Sequence, residues 1–250
     1  MISRKSVDQI DRIRDSCRIV YQVQQKLKNL VEPGVCTLEL DAIAEKTIRA
    51  AGAFPAFKGY NGFPFSICAS NNESIVHGFP CKVPLRTGDI LSIDVGVELN
   101  GYFGDSAFTL GVGDLDKDRK RFVETTQQCL ALGIKEMIPG SHLGNISHAI
   151  QTHAETSGFS VIREYGGHGI GKDLHESPHI NNYGIAEKGP KLKVGYVFCI
   201  EPILGMGKAE IKHGDDEWNV FTKDCLPAAH FEHTVAINEN GPEILTLAKS

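Results

Sequence analysis

The 250-residue sequence has 41% hydrophobic and 23% charged residues, which is typical of a globular protein and excludes a disordered, collagen-like or coiled-coil chain. A chain of this length buries roughly 70–75% of its unfolded surface, so it can form a complete enzyme core. The formal net charge of −5 and the isoelectric point of about 6.1 argue against a protein that binds the nucleic-acid backbone.

The N-terminus and the cysteines predict where the protein functions. The first stretch, MISRKSVDQIDRIRD, lacks the apolar segment of a signal peptide, and no part of the sequence approaches the roughly 18 apolar residues of a membrane span. Seven cysteines are an odd number and include no C-x-x-C pair. This pattern favours reduced thiols over disulfides or a structural zinc site. We therefore expect a cytoplasmic protein that does not bind membranes.

The spacing of apolar residues predicts helices in two pairs. The first pair covers residues 7–30 and 37–51, with Thr37 as the N-cap of the second helix and Gly52 closing it. The second pair starts near residue 119 and again between 141 and 145, and Gly158 closes its second helix. In both pairs a Pro-Gly dipeptide separates the two helices, and the interval from that dipeptide to the closing glycine is the same.

The segments that follow the helix pairs also repeat. GDILSID at 88–94 corresponds to GYVFCIE at 195–201, and both read as a strand that ends in an acidic residue. Upstream of each strand a histidine stands beside glycine, and downstream of each a further acidic residue, Asp105 or Glu232, lies on a further strand. The sequence therefore predicts a single domain, 1–250, built from two pseudo-twofold-related halves at about 7–115 and 119–245.

A predicted hairpin brings two carboxylates of the first half together. If Asn100-Gly101 forms a two-residue turn, Asp94 pairs with Ala107. Asp105 is then the diagonal neighbour of Asp94 on the same face, with Cα atoms roughly 7–8 Å apart. A buried carboxylate without a partner is costly, so two that converge in this way predict a metal site.

The two halves together supply an oxygen-rich set of candidate ligands. Its members are Asp94, Asp105, His168, Glu201 and Glu232. Four carboxylates with one imidazole suit a pair of divalent ions and leave positions for water and substrate. The alternative is a buried network of acids satisfied by Lys, Arg or backbone N–H groups, which is disfavoured because only scattered Lys and Arg lie near these segments.

Two further motifs match known patterns only in part. GGHGIGKD at 166–173 resembles a phosphate-binding loop, but Asp173 stands where Ser or Thr would hold magnesium. HESPH at 175–179 matches H-E-x-x-H, yet that zinc motif requires a helix, which Pro178 breaks. We expect neither a nucleotide site nor a zinc site of this type.

Other residues near the ligand segments are candidates for catalysis and binding. His77 and His175 lie in loops interrupted by Gly or Pro, each beside a predicted ligand. Tyr60, Phe63 and Cys68 lie in FKGYNGFPFSICAS, whose glycines favour an irregular pocket wall, to which Trp218 is a further candidate.

Taken together, the motifs resemble those of the methionine aminopeptidases over nearly the whole chain. The resemblance is carried by SICASNNESIVHGFP, DILSIDVGVELNGYFGDSAFT, GGHGIGKDLHESP, VFCIEPIL and FEHTVAI. It implies the α/β (α+β) pita-bread (creatinase/aminopeptidase) fold, with two halves around a central antiparallel sheet. Because there is no room for a helical insertion between Glu201 and Glu232, and no extension before the first helix, the chain is most similar to the short bacterial-style type I enzymes.

The resemblance also implies a role for each candidate residue. The five ligands hold two divalent ions (Co, Mn, Fe or Zn), and Glu201 is in addition the general base or proton shuttle. His77 and His175 contact the scissile amide. The methionine side chain is bound by the residues at the family's pocket positions, which here are Tyr60, Phe63, Cys68, Leu174 and Trp218. The implied substrates are nascent polypeptides with an N-terminal Met, cleaved by a monomer, with docking on the ribosome left open.

Four positions depart from the usual family pattern. At these positions Asn61 stands where His is common, Phe57 where Cys is frequent, Gly96 where Thr is common, and His230 where Gln is usual. These departures affect the expected fine substrate preference but not the ligands.

Two rival functions remain open. One rival is a proline-directed peptidase of the same fold, which shares all five ligands. The other is a non-enzymatic module of this fold that binds peptide, histone or nucleic acid, although such modules typically lose metal ligands.

Overall fold

The computed structural model describes residues 2–248. Within this range the helices are α1 (Val7–Lys28), α2 (Thr37–Ala50), α3 (Lys117–Lys135) and α4 (Leu143–Thr156). The strands of the first half are β1 (Phe54–Pro55), β2 (Cys68–Asn71), β3 (Ser74–Val76), β4 (Ile90–Leu99) and β5 (Tyr102–Gly111). Those of the second half are β6 (Ser160–Val161), β7 (Gly166–Gly169), β8 (Glu176–Asn181), β9 (Val197–Ile200), β10 (Ile203–Gly205), β11 (Ile211–His213), β12 (Val220–Thr222), β13 (Ala228–His230), β14 (His233–Asn238) and β15 (Gly241–Ile244).

Two larger antiparallel sheets form the centre of the molecule. In the first half, β4 pairs with β5 along one edge and with β2 and β1 along the other. In the second half the strand order is β15-β14-β9-β7-β8. Two smaller sheets, β13-β10-β6 and β11-β12-β3, complete the structure, and the second of them joins strands from both halves.

The predicted helices are present, and their observed ends differ slightly from the predicted ones. The N-cap assigned to the second helix was wrong, because Thr37 is its first residue and Cys36 is the N-cap. The Cys36 N–H donates to the Glu39 carboxylate at 3.4 Å. The Thr37 hydroxyl instead accepts the backbone N–H of Cys81 at 2.8 Å, so it is used to hold a loop and not to cap the helix. None of the helices within residues 2–248 is long and apolar enough to cross a membrane.

Equivalent hydrogen bonds relate the two halves. The N–H of Gly34 donates to the carbonyl of Leu85 at 2.9 Å, and the N–H of Gly140 donates to that of Leu192 at the same distance. Both donors follow a proline and have positive φ, which glycine adopts without steric cost. The repeat in the sequence thus corresponds to a repeat in backbone structure.

The alternation along β4 separates a core face from a polar face. Ile93, Val95 and Val97 are fully buried and belong to the main hydrophobic cluster, which also contains residues of all four helices. Helix α1 lies so close to β5 that a Cβ on Gly104 would be 2.7 Å from the Cys17 nitrogen. Because successive side chains of a strand point to opposite faces, Asp94 points away from the helices. An apolar strand can therefore carry this carboxylate without burying it in the core.

Threonine hydroxyls join the two halves. Thr234 of β14 donates its hydroxyl to the Asp105 carbonyl at 2.7 Å and accepts the Asp105 N–H at 3.1 Å. Thr109 of β5 makes the same pair of bonds to His230, at 2.7 and 2.9 Å. Each half thus holds the backbone of the other next to the polar face of the sheets.

Candidate metal centre

A cavity of about 610 Å³ lies on the polar face of the sheets. It is lined by every site residue that the sequence predicted, namely Tyr60, Phe63, Cys68, His77, Asp94, Asp105, His168, Leu174, His175, Glu201, Trp218 and Glu232. These residues come from strands and loops of both halves, so the cavity depends on the way in which the halves are joined.

The β4–β5 hairpin brings two of these carboxylates together as the sequence predicted. Asp94 is opposite Ala107, and Asp105 is opposite Gly96, so the two acids are diagonal neighbours on one face. The turn residues Asn100 and Gly101 both have positive φ (53° and 77°), as a two-residue hairpin turn requires.

The second half contributes the remaining predicted ligands from three adjacent strands. His168 lies in β7, Glu201 follows β9 directly, and Glu232 immediately precedes β14. The Nε2 atom of His168 is 3.8 Å from a carboxylate oxygen of Glu201. Asp105, His168 and Glu232, together with Cys199, each offer one ligand atom, and these atoms all lie within 4.8 Å of one another.

Among the residues that the structure describes, no Lys or Arg side chain neutralises the carboxylates. Within residues 2–248, their only ion-pair contacts within 4 Å are those of Glu201 with His168 and His230. One buried oxygen of each of Asp94, Asp105 and Glu232 also has no hydrogen-bond partner in the described part of the chain. Because unpaired buried carboxylates are strongly disfavoured, this donor set fits divalent cations and excludes the alternative of acids satisfied by Lys or Arg.

The pKa shifts of these groups have the same cause. Burial, followed by the charges of Glu232 and Asp94, raises the pKa of Asp105 well above its ordinary value. Burial likewise raises the pKa of Glu201 and of Glu232, with neighbouring carboxylates adding to the effect. Burial lowers the pKa of His168 to about 3, which keeps its imidazole in the neutral form that ligates metals.

The two candidate catalytic histidines lie beside the predicted ligands. The ring centroid of His175 is 4.3 Å from that of His168, and its Nδ1 is 3.0 Å from the Tyr60 hydroxyl. His77 follows β3 with a φ of 58°, and its ring lies edge-on to Trp218 at a centroid distance of 5.9 Å. Burial lowers the pKa of His77 to about 4 and also lowers that of His175. Both rings are therefore neutral hydrogen-bonding groups at pH 7.

The other part of the cavity is apolar. Phe63, Cys68 and Leu174 belong to one buried cluster, and Trp218 packs edge-to-face on Phe63 with centroids 5.1 Å apart. Cys68 in β2 is directly opposite Asp94 in β4. An apolar pocket and a carboxylate-rich centre therefore share one cavity and adjoin each other.

Comparison with known proteins identifies the family. The sequence model described as metallopeptidase family M24 matches residues 11–239. The chain belongs to this family. M24 proteins are metallopeptidases, in agreement with a centre that binds divalent metal ions.

Individual relatives in the family cover the full length of the chain. Methionine aminopeptidase 1 of Bacillus subtilis is 51% identical over 246 residues, which are 98% of this chain and 99% of that protein. The crystal structure of methionine aminopeptidase from Thermotoga maritima matches with a TM-score of 0.98 at 38% identity, over 99% of this chain and 100% of that one. Prolidase from Pyrococcus furiosus, at 23% identity and a TM-score of 0.80, shares the fold over 66% of its length. The pita-bread fold expected from the sequence is thus confirmed.

The two motifs with only partial matches, GGHGIGKD and HESPH, are not helical in this M24 chain. Gly166–Gly169 forms strand β7, and Glu176–Asn181 forms strand β8, so neither motif starts or lies on a helix. His179 nevertheless lines the cavity, because it pairs with His168 in the register of these two strands.

Two residues next to the predicted ligands were not among the predicted site residues, although His230 was noted as a departure from the family pattern. Cys199 pairs with His168 across β9 and β7, and it lies two residues before Glu201 in the chain. His230 is buried, with Nε2 3.3 Å from a carboxylate oxygen of Glu201. Both residues lie two positions before a predicted ligand, but Glu201 and Glu232 lie beyond the ends of β9 and β13, so no strand period connects them and no local signal identified Cys199 or His230.

Proposed function

We propose that this M24 chain is a methionine aminopeptidase that removes the N-terminal Met from nascent polypeptides. The observation that carries the proposal is a single cavity in which five candidate ligands adjoin an apolar pocket. Relatives that match the chain over its full length, such as the Bacillus subtilis protein, are methionine aminopeptidases by name.

The proposed cofactor is a pair of divalent metal ions held by the five ligands. Asp94 and Asp105 from one half, and His168, Glu201 and Glu232 from the other, supply mostly oxygen donors that accept Co, Mn, Fe or Zn. When bound, such ions polarise the scissile carbonyl and lower the pKa of water to near neutrality. Since many ions suit this donor set, availability in the cell decides which are used.

Glu201 and the two histidines carry the proton transfer and the stabilisation of charge. The side chain of Glu201 is 12% exposed and reaches the open cavity, where it accepts a proton from the attacking water and passes it to the leaving amine. His77 and His175 donate hydrogen bonds to the oxygen on which charge develops as the carbonyl becomes tetrahedral. Tyr60 holds the Nδ1 side of His175, which leaves Nε2 for the substrate.

The apolar part of the cavity is the proposed site for the methionine side chain. Phe63, Cys68, Leu174 and Trp218 offer aromatic and sulfur surfaces that suit a thioether. Because this pocket adjoins the ligands, a side chain bound in it places the first peptide bond of the substrate at the metal centre.

The catalytic unit proposed here includes both repeats, about 7–115 and 119–245, since each supplies ligands to the same centre. With a net charge of −5 it does not bind nucleic acid by itself. We further propose that it acts as a monomer in the cytoplasm, on peptides that emerge from the ribosome.

The proposal is tested by stripping the protein of metal and titrating it with Mn(II), Co(II), Fe(II) or Zn(II) in the presence of Met-Ala-Ser. We expect release of free Met that depends on the added ion. Glu201→Gln is the matched control, because it keeps the shape of the side chain while removing the proposed proton acceptor, and it should abolish release. Equal rates for wild type and Glu201→Gln at full metal loading would overturn the proposed role of Glu201.

A further inference from the structure

The ring of Phe57 occupies the space that a side chain at position 96 would need. A Cβ built on Gly96 would lie 2.5 Å from Cε1 of Phe57 and 2.9 Å from its Cζ. These distances are far below van der Waals contact, so the ring cannot keep its position if residue 96 has a side chain. The backbone of Gly96 does not itself require glycine, because its φ is not positive. Position 96 therefore lacks a side chain because the ring of Phe57 fills the space, and not because of its backbone conformation.

This contact lies at the wall of the metal centre. Gly96 is on the same face of β4 as Asp94 and directly opposite Asp105. Phe57 follows β1, which pairs with β4, and the neighbouring Ala56 N–H donates to the Gly96 carbonyl at 3.0 Å. The backbone on both sides of the contact is therefore fixed, and any conflict must be relieved by the ring.

Phe57 also forms part of the apolar pocket. It is 8% exposed, lines the cavity and belongs to the same buried cluster as Phe63, Cys68 and Leu174. The direction left open to a displaced ring is the cavity, since the helices and the core occupy the other face of β4.

We infer that Phe57 and Gly96 form a coupled pair that sets the width of the pocket for the substrate's N-terminal side chain. Gly96 seats the ring against β4, which leaves room for an unbranched side chain such as that of methionine. A side chain at position 96 moves the ring into the pocket, whereas removal of the ring opens the pocket to bulkier residues. The inference rests on the proposed function, because it assigns a specificity determinant to that site.

The test compares Gly96→Thr, Phe57→Ala and the double variant on Met-Ala-Ser and Phe-Ala-Ser with saturating Mn(II). Gly96→Thr should lower kcat/KM for Met-Ala-Ser about tenfold or more, because overpacking narrows the pocket. Phe57→Ala should raise the ratio of kcat/KM for Phe-Ala-Ser to that for Met-Ala-Ser at least about tenfold. The double variant should recover most of the Met-Ala-Ser activity that Gly96→Thr loses. A substrate ratio is independent of the folded fraction, so a merely structural role of Phe57 does not change it.

Phe65→Ala is the matched control, because Phe65 is partly buried and packs on Phe63 against the same cluster but is not among the residues that line the cavity. It should leave the substrate ratio unchanged.

Thermal unfolding tests the coupling without a measurement of activity. Introducing Gly96→Thr into the wild-type protein should lower the Tm more than introducing it into the Phe57→Ala variant. An unchanged substrate ratio in Phe57→Ala, or additive effects in the double variant, would overturn the inference even if wild type releases Met. Failure of wild type to release Met would overturn the proposed function instead, and the unfolding result would still decide whether the two positions are coupled.

Discussion

The carboxylates of the candidate metal centre are stable together only with protons or cations among them. Asp105, Glu201 and Glu232 all have a raised pKa in the folded, metal-free chain, chiefly through burial. The folded state therefore retains protons at pH values where the unfolded chain has lost them. The stability that these groups contribute is complete below their ordinary pKa values and is lost as the pH rises through the raised values.

This linkage predicts that metal binding displaces protons. Titration of the metal-free protein with Mn(II) at pH 7 should release protons, and the affinity should fall as the pH is lowered, because protonated carboxylates do not ligate. Calorimetry in two buffers with different ionisation enthalpies counts the released protons. Identical heats in both buffers would show that the carboxylates are already ionised before metal binds.

A second residue-level prediction concerns His175. His175→Ala should lower kcat roughly 100- to 1,000-fold, as loss of a donor to the developing oxyanion does, while Mn(II) affinity changes little. Calorimetry and steady-state kinetics separate the two effects, with His148→Ala on the exposed side of helix α4 as a surface control. Loss of bound metal in His175→Ala would place this residue among the ligands instead.

For single residues, the sequence was sufficient to predict positions that follow from one hairpin. Asp94 and Asp105 could be placed on one face because the hairpin register follows from its turn. Cys199 and His230 were not assigned to the site because their neighbours there belong to other strands, and pairing between distant strands is not encoded in a local pattern.

At the scale of elements, the β4–β5 hairpin determines the distance between its two acids. Gly101 in its turn has a φ of 77°, where a side chain with a branched Cβ is strained. Gly101→Val should therefore cost about 1–2 kcal/mol of unfolding free energy, measured by urea denaturation. Gly101→Asn, at the same position, should cost less because Asn tolerates this region. Equal losses for the two variants would mean that the turn conformation is not the cause.

The helices were predictable to within a few residues because apolar periodicity and Pro-Gly punctuation define them. The observed α1 ends at Lys28, whereas the pattern extended to Leu30. The Thr37 cap was misassigned because its hydroxyl is held by Cys81, a contact beyond the reach of local sequence. The glycine-rich strand β7 has no apolar alternation, so it could not be recognised as a strand.

At the scale of the whole molecule, the sequence repeat showed that there are two halves but not how they are joined. The contacts between them include the reciprocal hydrogen bonds of Thr234 with Asp105 and of Thr109 with His230. A hydroxyl in a strand has many acceptable partners, so these pairings could be found only in the structure.

These bonds predict a coupling between stability and metal binding. Thr234→Val keeps the shape of the side chain but leaves the buried N–H and carbonyl of Asp105 unpaired, which should cost about 1–3 kcal/mol of unfolding free energy. Because Asp105 is a proposed ligand, Mn(II) affinity should fall as well. Thr152→Val on the exposed face of α4 is the control. Unchanged metal affinity in a destabilised Thr234→Val would show that the bond supports the fold alone.

Action of this M24 chain on N-terminal methionine is tested most directly by one comparison of substrates. Metal-loaded protein is given Met-Ala-Ser and the matched peptide Ala-Pro-Ser, and the released N-terminal residues are quantified. We predict rapid release of Met and no release of Ala. Cleavage before proline alone would identify a proline-directed peptidase of the same fold, and absence of cleavage with each of the four ions would contradict an enzymatic function and leave a peptide-binding module.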